Sequence, residues 1–166
     1  MDKILHHFIR LNCDTKRAFE MFTVNRFLEM WLTTEANVEP VVGGKYELYW
    51  NPTDKENDST IGCKITTIEK DKLISFEWKG PKEFKEFMNN ADPLTHVVVS
   101  FIPHRENTES WTDVHLIHSG WRQTDDWEKA RQMFERAWSD AFEELRKLIN
   151  EHSHSNSSST GCPLSS

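Results

Sequence analysis

Apolar positions along the chain change their period from one segment to the next. Residues 3–11, KILHHFIRL, are apolar and β-compatible, and the run then meets Asp14, whose carboxylate suits the cap of a helix through Arg17, Ala18, Phe19 and Phe22. VNRFLEMWL sets Phe27, Met30 and Trp31 at helical spacing and predicts a second short helix. Strand-like runs follow: ANVEPVV, KYELYW, TIGCKITTIE, KLISFEW, THVVVSFIP and SWTDVHLIHS. Turn material such as NPTDKENDS and PHRENTE separates them. Short polar links between neighbouring strands predict an antiparallel meander, and no β-α-β alternation is present to build a parallel sheet.

A closing helix is predicted from a cap at Asp125, with Glu128 three residues on, to Ile149. At 1.5 Å per residue its length of about 26 residues spans roughly 39 Å. Its apolar stripe is Trp127, Ala130, Phe134, Ala137, Trp138, Ala141, Leu145 and Leu148, which must be buried, and the concave side of the sheet is the large partner available. Three alanines among large residues leave room between helix and sheet, either for bulky strand side chains or for a cavity. Residues 152–166, HSHSNSSSTGCPLSS, lack Asp, Glu, Lys and Arg, and this composition predicts a disordered tail after a single domain at 1–151. His152 and His154 in that tail make at most a weak metal site.

With 37% apolar residues, seven Trp and ten Phe among 166 residues, the chain is expected to form one large core without disulfides or metal. Its formal charge of −7 and lack of a basic run argue against nucleic acid or an anionic membrane as partner. No segment reads as a secretory signal or a membrane span, so a cytoplasmic protein is expected. Cys13, Cys63 and Cys162 are far apart and read as free thiols, the first two in or near the core. No nucleophile elbow, phosphate-binding glycine loop or H-E-x-x-H stands in the chain. The alternating Asp54, Glu56 and Asp58 read as a solvated turn rather than a calcium loop. No cofactor or metal is called for.

Strand alternation assigns faces. Tyr46, Leu48 and Trp50 share one, Ile74, Phe76 and Trp78 another, and either Val97, Val99 and Phe101 or the opposite register a third. On the last strand Thr112, Val114, Leu116 and His118 point one way, while Asp113, His115 and Ile117 point the other. His115 and His118 therefore cannot form a paired metal site from this strand alone.

The order of elements and several short motifs resemble a known family. They are AFEMFTVNRFLEMW, the P-x-x-G-G of Pro40 to Gly44, KLISFEW ending in Trp78, the H-x-G-aromatic of HLIHSGW, and Trp138 with Leu145 in the final helix. Over roughly residues 4–150 the chain resembles homologues of the activator of the heat-shock-protein-90 ATPase, within the START-like (SRPBCC, Bet v-like) superfamily. The resemblance implies an α+β helix-grip fold, in which a curved antiparallel sheet of six or seven strands wraps a long C-terminal helix around a cavity. It does not by itself fix an activity. The segment GPKEFKEFMNNADP departs from the family pattern; Phe84, Phe87 and Met88 there make either a lid over the cavity or, as preferred, a surface helix on the sheet edge.

The implied cavity lining is Tyr46, Leu48, Trp50, Phe76, Trp78, Val99, Phe101, Val114, Leu116, His118, Phe134 and Trp138. Such a lining suits a small-molecule pocket and equally a filled core. Tyr46 and the indole N–H groups of Trp50 and Trp78 are the donors that would orient a ligand. A buried His118 would bind a polar head group or move a proton, or, as preferred, be satisfied locally by a backbone carbonyl or water. The leading reading is a protein that binds a small apolar, aromatic or lipid-like molecule. The alternatives are a cyclase- or aromatase-like enzyme using His118 and Tyr46, and a chaperone co-regulator; the latter is less expected because the chain opens directly on the first helix-grip strand.

Overall fold

A computed structural model describes residues 3–159, and only the backbone over 152–159. Strand β1 (Leu5–Leu11) leads into helices α1 (Thr15–Thr23) and α2 (Asn25–Trp31). Strands β2 (Glu35–Val38), β3 (Tyr46–Tyr49), β4 (Ile65–Glu69) and β5 (Leu73–Trp78) follow. A 3-10 turn and α3 (Lys85–Met88) precede β6 (Thr95–Glu106), β7 (Glu109–Ser119) and α4 (Asp125–Ser159). Asp14 caps α1 as expected, its Oδ1 accepting from Arg17 N at 2.8 Å. Thr124, rather than Asp125, caps α4 by accepting from Trp127 N at 3.3 Å. Asp125, Asp126 and Glu128 then occupy the first turn, where the helix end favours negative charge. The expected tail differs too: the backbone stays helical through Ser159, since each residue added to a formed helix brings a further hydrogen bond. Cys162 and the rest of 160–166 lie outside the described residues, as do the side chains of His152 and His154.

All strand pairs are antiparallel, but the expected continuous meander is divided. Five strands run in the order β1-β7-β6-β5-β4, and β2 pairs with β3 in a separate ribbon. The ribbon meets the sheet through the isolated bridge Lys45–Lys64 and through Gly43 N to Ile65 O and Ile65 N to Gly44 O, both at 2.8 Å, while a second bridge, Tyr49–Ser59, ties β3 to the turn after it. The long turn after β3 interrupts the ladder, and a buried side chain fills the gap. Thr60 Oγ1 accepts from Leu48 N at 2.8 Å and donates to Tyr46 O at 2.9 Å, while Thr60 N donates to Leu48 O at 2.9 Å. One hydroxyl thus stands in for a missing peptide group. At the other end of β3, Gly44 packs so closely on Glu39 O that a Cβ there would overlap it, which accounts for the second glycine of the P-x-x-G-G stretch.

Helix α4 lies across the inner face of the five-stranded sheet. Its buried stripe is Trp127, Ala130, Phe134, Trp138, Phe142, Leu145 and Ile149. Compared with the stripe read from sequence, Phe142 and Ile149 join it, Ala141 and Leu148 are half-buried, and Ala137 is exposed on the open side of the helix, where it borders a cavity. The register on β6 is settled in favour of Val97, Val99 and Phe101 facing inward. On β3, alternation fails: Tyr46, Glu47, Leu48 and Tyr49 are all buried. The chain after β3 covers the outer face, where Glu47 accepts from Tyr49 OH at 2.6 Å and from Gly62 N at 2.8 Å.

Thr60→Val keeps shape but removes the hydroxyl that bridges Tyr46 and Leu48, leaving a buried amide without a partner. It is expected to lower unfolding free energy by about 2 kcal/mol, measured by urea denaturation; a change below about 0.5 kcal/mol would contradict the bridging role.

Candidate functional site

A partly open cavity of about 350 Å³ lies beside the middle of α4. Met133, Phe134, Ala137, Trp138 and Ala141 supply the helix wall, and Trp50, Trp78 and Leu32 the opposite wall. Asn51, Asp58, Ser59, Lys79 and Pro81 complete the lining. The room comes from Ala137 and Ala141: two small side chains sit where the neighbouring stripe positions carry rings. The volume falls at the lower end of the roughly 300–1,000 Å³ typical of ligand pockets. A second hollow, of about 490 Å³ between β1 and α4, is edged by Arg10, Glu143 and Arg146 and is far more polar.

Of the residues expected to line a cavity, the structure brings Trp50, Trp78, Phe134 and Trp138 to it. Tyr46, Leu48, Phe76, Val99, Phe101, Val114, Leu116 and His118 are instead packed in the core. Tyr46 stacks on Phe76 with ring centres 3.7 Å apart, and Phe101 closes on Phe19 and Phe22 edge-to-face. Met133, Ala137, Ala141 and Leu32 line the cavity without having been nominated. The alanines on α4 were the available signal for a space at this level.

His118 is wholly buried and its ring is satisfied by side chains, not by the backbone carbonyl or water expected from sequence. Trp138 Nε1 on α4 donates to Nδ1 at 3.1 Å, so Nδ1 carries no proton. Nε2 therefore holds it and donates to Thr95 Oγ1 at 3.0 Å, and Thr95 Oγ1 donates onward to Trp78 O at 3.4 Å. Burial, with smaller contributions from His96 and His7, holds His118 well below its ordinary pKa of 6.5. Gly120, at φ 93°, turns the chain so that Trp121 folds back, donates to His118 O at 3.0 Å and lays its ring 4.4 Å from the imidazole. The H-x-G-aromatic motif is thus a buried structural knot.

The donors proposed to orient a ligand part company in the same way. Tyr46 OH donates to Phe22 O at 2.8 Å, and burial pushes its pKa up. Trp50 Nε1 donates to Leu32 O at 3.0 Å. Trp78 Nε1 is buried and has no partner among the described residues, a condition that costs about 1–3 kcal/mol where it persists.

Elsewhere, His115 faces outward as expected, but it meets His6, with Nε2 of His6 3.0 Å from its Nδ1. Asp113, on the same face of β7, is buried under Arg10 and His104, at 2.9 Å from each. Burial pushes the thiols of Cys13 and Cys63 up to about 12. The 81–93 segment packs as a surface helix: Met88 is fully buried and Phe87 meets Trp127 at 5.2 Å. Pro81 at its start also reaches the cavity rim. Among the described residues no group of three or more His, Cys, Asp or Glu is arranged to hold a metal ion, and no helix is long and apolar enough to cross a membrane.

A curved antiparallel sheet with a long C-terminal helix laid along its inner face defines the helix-grip class. The chain belongs to the family described as Activator of Hsp90 ATPase homolog 1-like protein, whose model matches residues 12–150. Among solved structures, a protein from Mesorhizobium loti superposes with a TM-score of 0.69 at 16% identity, over 90% of this chain and 98% of that one. An HSP90 activator from Plasmodium falciparum gives 0.66 at 20% identity, over 89% and 96%. The Aha1 dimer from Colwellia psychrerythraea gives 0.62 at 18% identity, also over 89% and 96%. At such identities the likeness is one of fold. No curated protein matches the sequence.

Because the folded pKa of His118 is depressed, the unfolded chain takes up its proton first as pH falls. The stability tied to a neutral His118 is therefore complete above about pH 6.5 and is lost below it, at up to about 1.4 kcal/mol per pH unit. Burial shifts His7 and His96 the same way. Urea midpoints between about pH 7.5 and about pH 5.5 should fall more steeply in the parent than in His118→Gln. Parallel pH profiles would contradict a buried neutral imidazole.

Proposed function

We propose that this chain binds a small apolar or amphipathic molecule in the cavity between α4, the end of β5 and the turn after β3. The observation that carries this reading is the cavity itself: about 350 Å³ walled by Trp50, Trp78, Met133, Phe134 and Trp138 and opened by Ala137 and Ala141. An apolar wall with few polar groups favours a ligand that loses little hydration on entry. Proton-transfer chemistry draws no support from His118 or Tyr46, whose polar atoms are engaged inside the core, away from the cavity.

A thermal-shift panel of short lipids, flavonoid-like aromatics and polyketide-like compounds tests the reading. A ligand present at 100 times its Kd stabilises by about 2.7 kcal/mol. Ala137→Phe fills the space from the exposed side of the helix, and the variant is expected to stay folded and lose the response. No shift with any compound, or an unchanged shift in Ala137→Phe, would overturn the proposal.

A second reading, a co-regulator of a chaperone ATPase, is supported by the family match and by the neighbour described as an HSP90 activator. Phe8 and Ile117, exposed on the outer face of the sheet, suit such a contact. Titration against the chaperone's middle domain should then give a complex at micromolar concentration that Phe8→Ser weakens; absence of a complex counts against it.

A further inference from the structure

We infer that the open edge of β1, beside the groove between β1 and α4, takes up an extended segment of another polypeptide as an added parallel strand. The inference draws on none of the residues that line the ligand cavity.

Sheets protect their edges, because a row of unpaired peptide groups invites a further strand. At β4 the ribbon bonds to Ile65 through Gly43 and Gly44, and the register shifts between Ile65 and Thr67. Where β6 runs on past its pairing with β5, which ends at Ser100, Pro103 breaks the row of donors. Phe101 N bonds to Lys72 O on that side, so position 103, two residues on, faces the same open edge. β1 has neither device: its seven residues, LHHFIRL, pair with β7 in unbroken register and include no proline.

Asn150 on α4 fixes the direction of the free groups. Its Nδ2 donates to Arg10 O at 3.3 Å, and its Oδ1 accepts from Asn12 N at 2.9 Å. Both backbone groups therefore point away from β7. Backbone polar groups alternate sides along a strand, so those of His6 and Phe8, with the N–H of Arg10, point the same way. None of these has a partner among the described residues. Asn150 also shows what this edge accepts. To donate to one carbonyl and accept from the N–H two residues on is what a residue of a parallel strand does. The next two places in that series, His6 O with Phe8 N and Phe8 O with Arg10 N, stand open.

The surroundings define the occupant. The groove, of about 490 Å³, has Phe8 and Ile9 on its strand side and Ser139, Phe142, Glu143 and Arg146 on its helix side. Side chains of an added strand alternate between two faces. One set lies on the outer face beside Phe8, which is 51% exposed, and calls for apolar residues. The other set turns toward α4, where Glu143 and Arg146 neutralise each other at 2.5 Å, and calls for small neutral polar residues. The occupant is an extended segment alternating apolar and small polar residues.

The probe is the acetylated, amidated peptide KTVTVTVK, titrated into the full chain. It should bind with a Kd below about 1 mM and slow hydrogen exchange at the Phe8 and Arg10 amides about ten-fold at saturation. N-methylation of its threonines removes the donors on one side of the peptide strand, and N-methylation of its valines those on the other. One pattern should abolish binding and the other preserve it. Phe8→Pro deletes an edge donor without touching the bonds to β7, so it should stay folded and lose the peptide. Should it not fold, the methylation pair and the amide exchange decide. No binding up to about 1 mM, equal effects of the two methylation patterns, or protection elsewhere than β1 would each overturn the inference. A self-associated chain whose Phe8 and Arg10 amides are already protected would overturn it in favour of a second copy on this edge.

Discussion

A single polar chain through the core fixes how the helix sits on the sheet. Trp138 on α4 donates to His118 on β7, His118 donates to Thr95 on β6, and Thr95 donates to the carbonyl of Trp78 on β5. Apolar packing alone tolerates rotation and slippage, because hydrophobic contact is not directional. A buried imidazole does not tolerate it, since losing a partner leaves a polar atom stranded in an apolar interior. Turning α4 by one residue rotates its side chains by about 100° and would separate Trp138 from His118. The same turn would carry Ala137 and Ala141 away from Trp50 and Trp78. The cavity's location therefore depends on a hydrogen-bond chain that does not line it, apart from the two tryptophans at its ends.

The mouth of the cavity is held from the other side. Lys82 N donates to Asp58 Oδ1 at 2.8 Å, and Lys85 Nζ reaches Glu56 O and Asn57 Oδ1 at 3.0 and 3.1 Å. These contacts tie the segment after β5 to the turn after β3. Lys79 Nζ adds a further tie to Ile61 O. What sequence alone left as two loops, one of them a possible lid, is a single connected rim. A preformed rim spares a ligand the cost of ordering loops on binding.

Much of the fold was legible because period reports burial directly. Alternation on β5 and β7 placed Ile74, Phe76, Trp78, Val114, Leu116 and His118 inward, and all six are buried. The spacing on α4 identified a helix and its buried side. What period does not encode is how one element meets another. It gave no sign that Trp138 would answer His118, because that pairing depends on the register of helix against sheet. For the same reason most of the nominated lining, from Tyr46 to Leu116, became filled core, and the space opened farther along, at Ala137 and Ala141. On β3 the reading failed for another reason: the chain folds back over its outer face, so Glu47 and Tyr49 are buried beside Tyr46 and Leu48. Phe142 and Ile149, each one residue beyond an expected stripe position, are buried because the apolar stripe drifts slowly around the helix.

The central claim is that the space between α4 and Trp78 is an accessible apolar site rather than a packing gap. Diffraction from crystals under xenon pressure tests it directly, since accessible apolar cavities take up xenon. The account predicts a xenon peak within contact of Trp78, Phe134, Ala137 and Trp138, and its disappearance in Ala137→Phe. Well-measured data with no xenon at that position, or with ordered water filling it, would contradict the account.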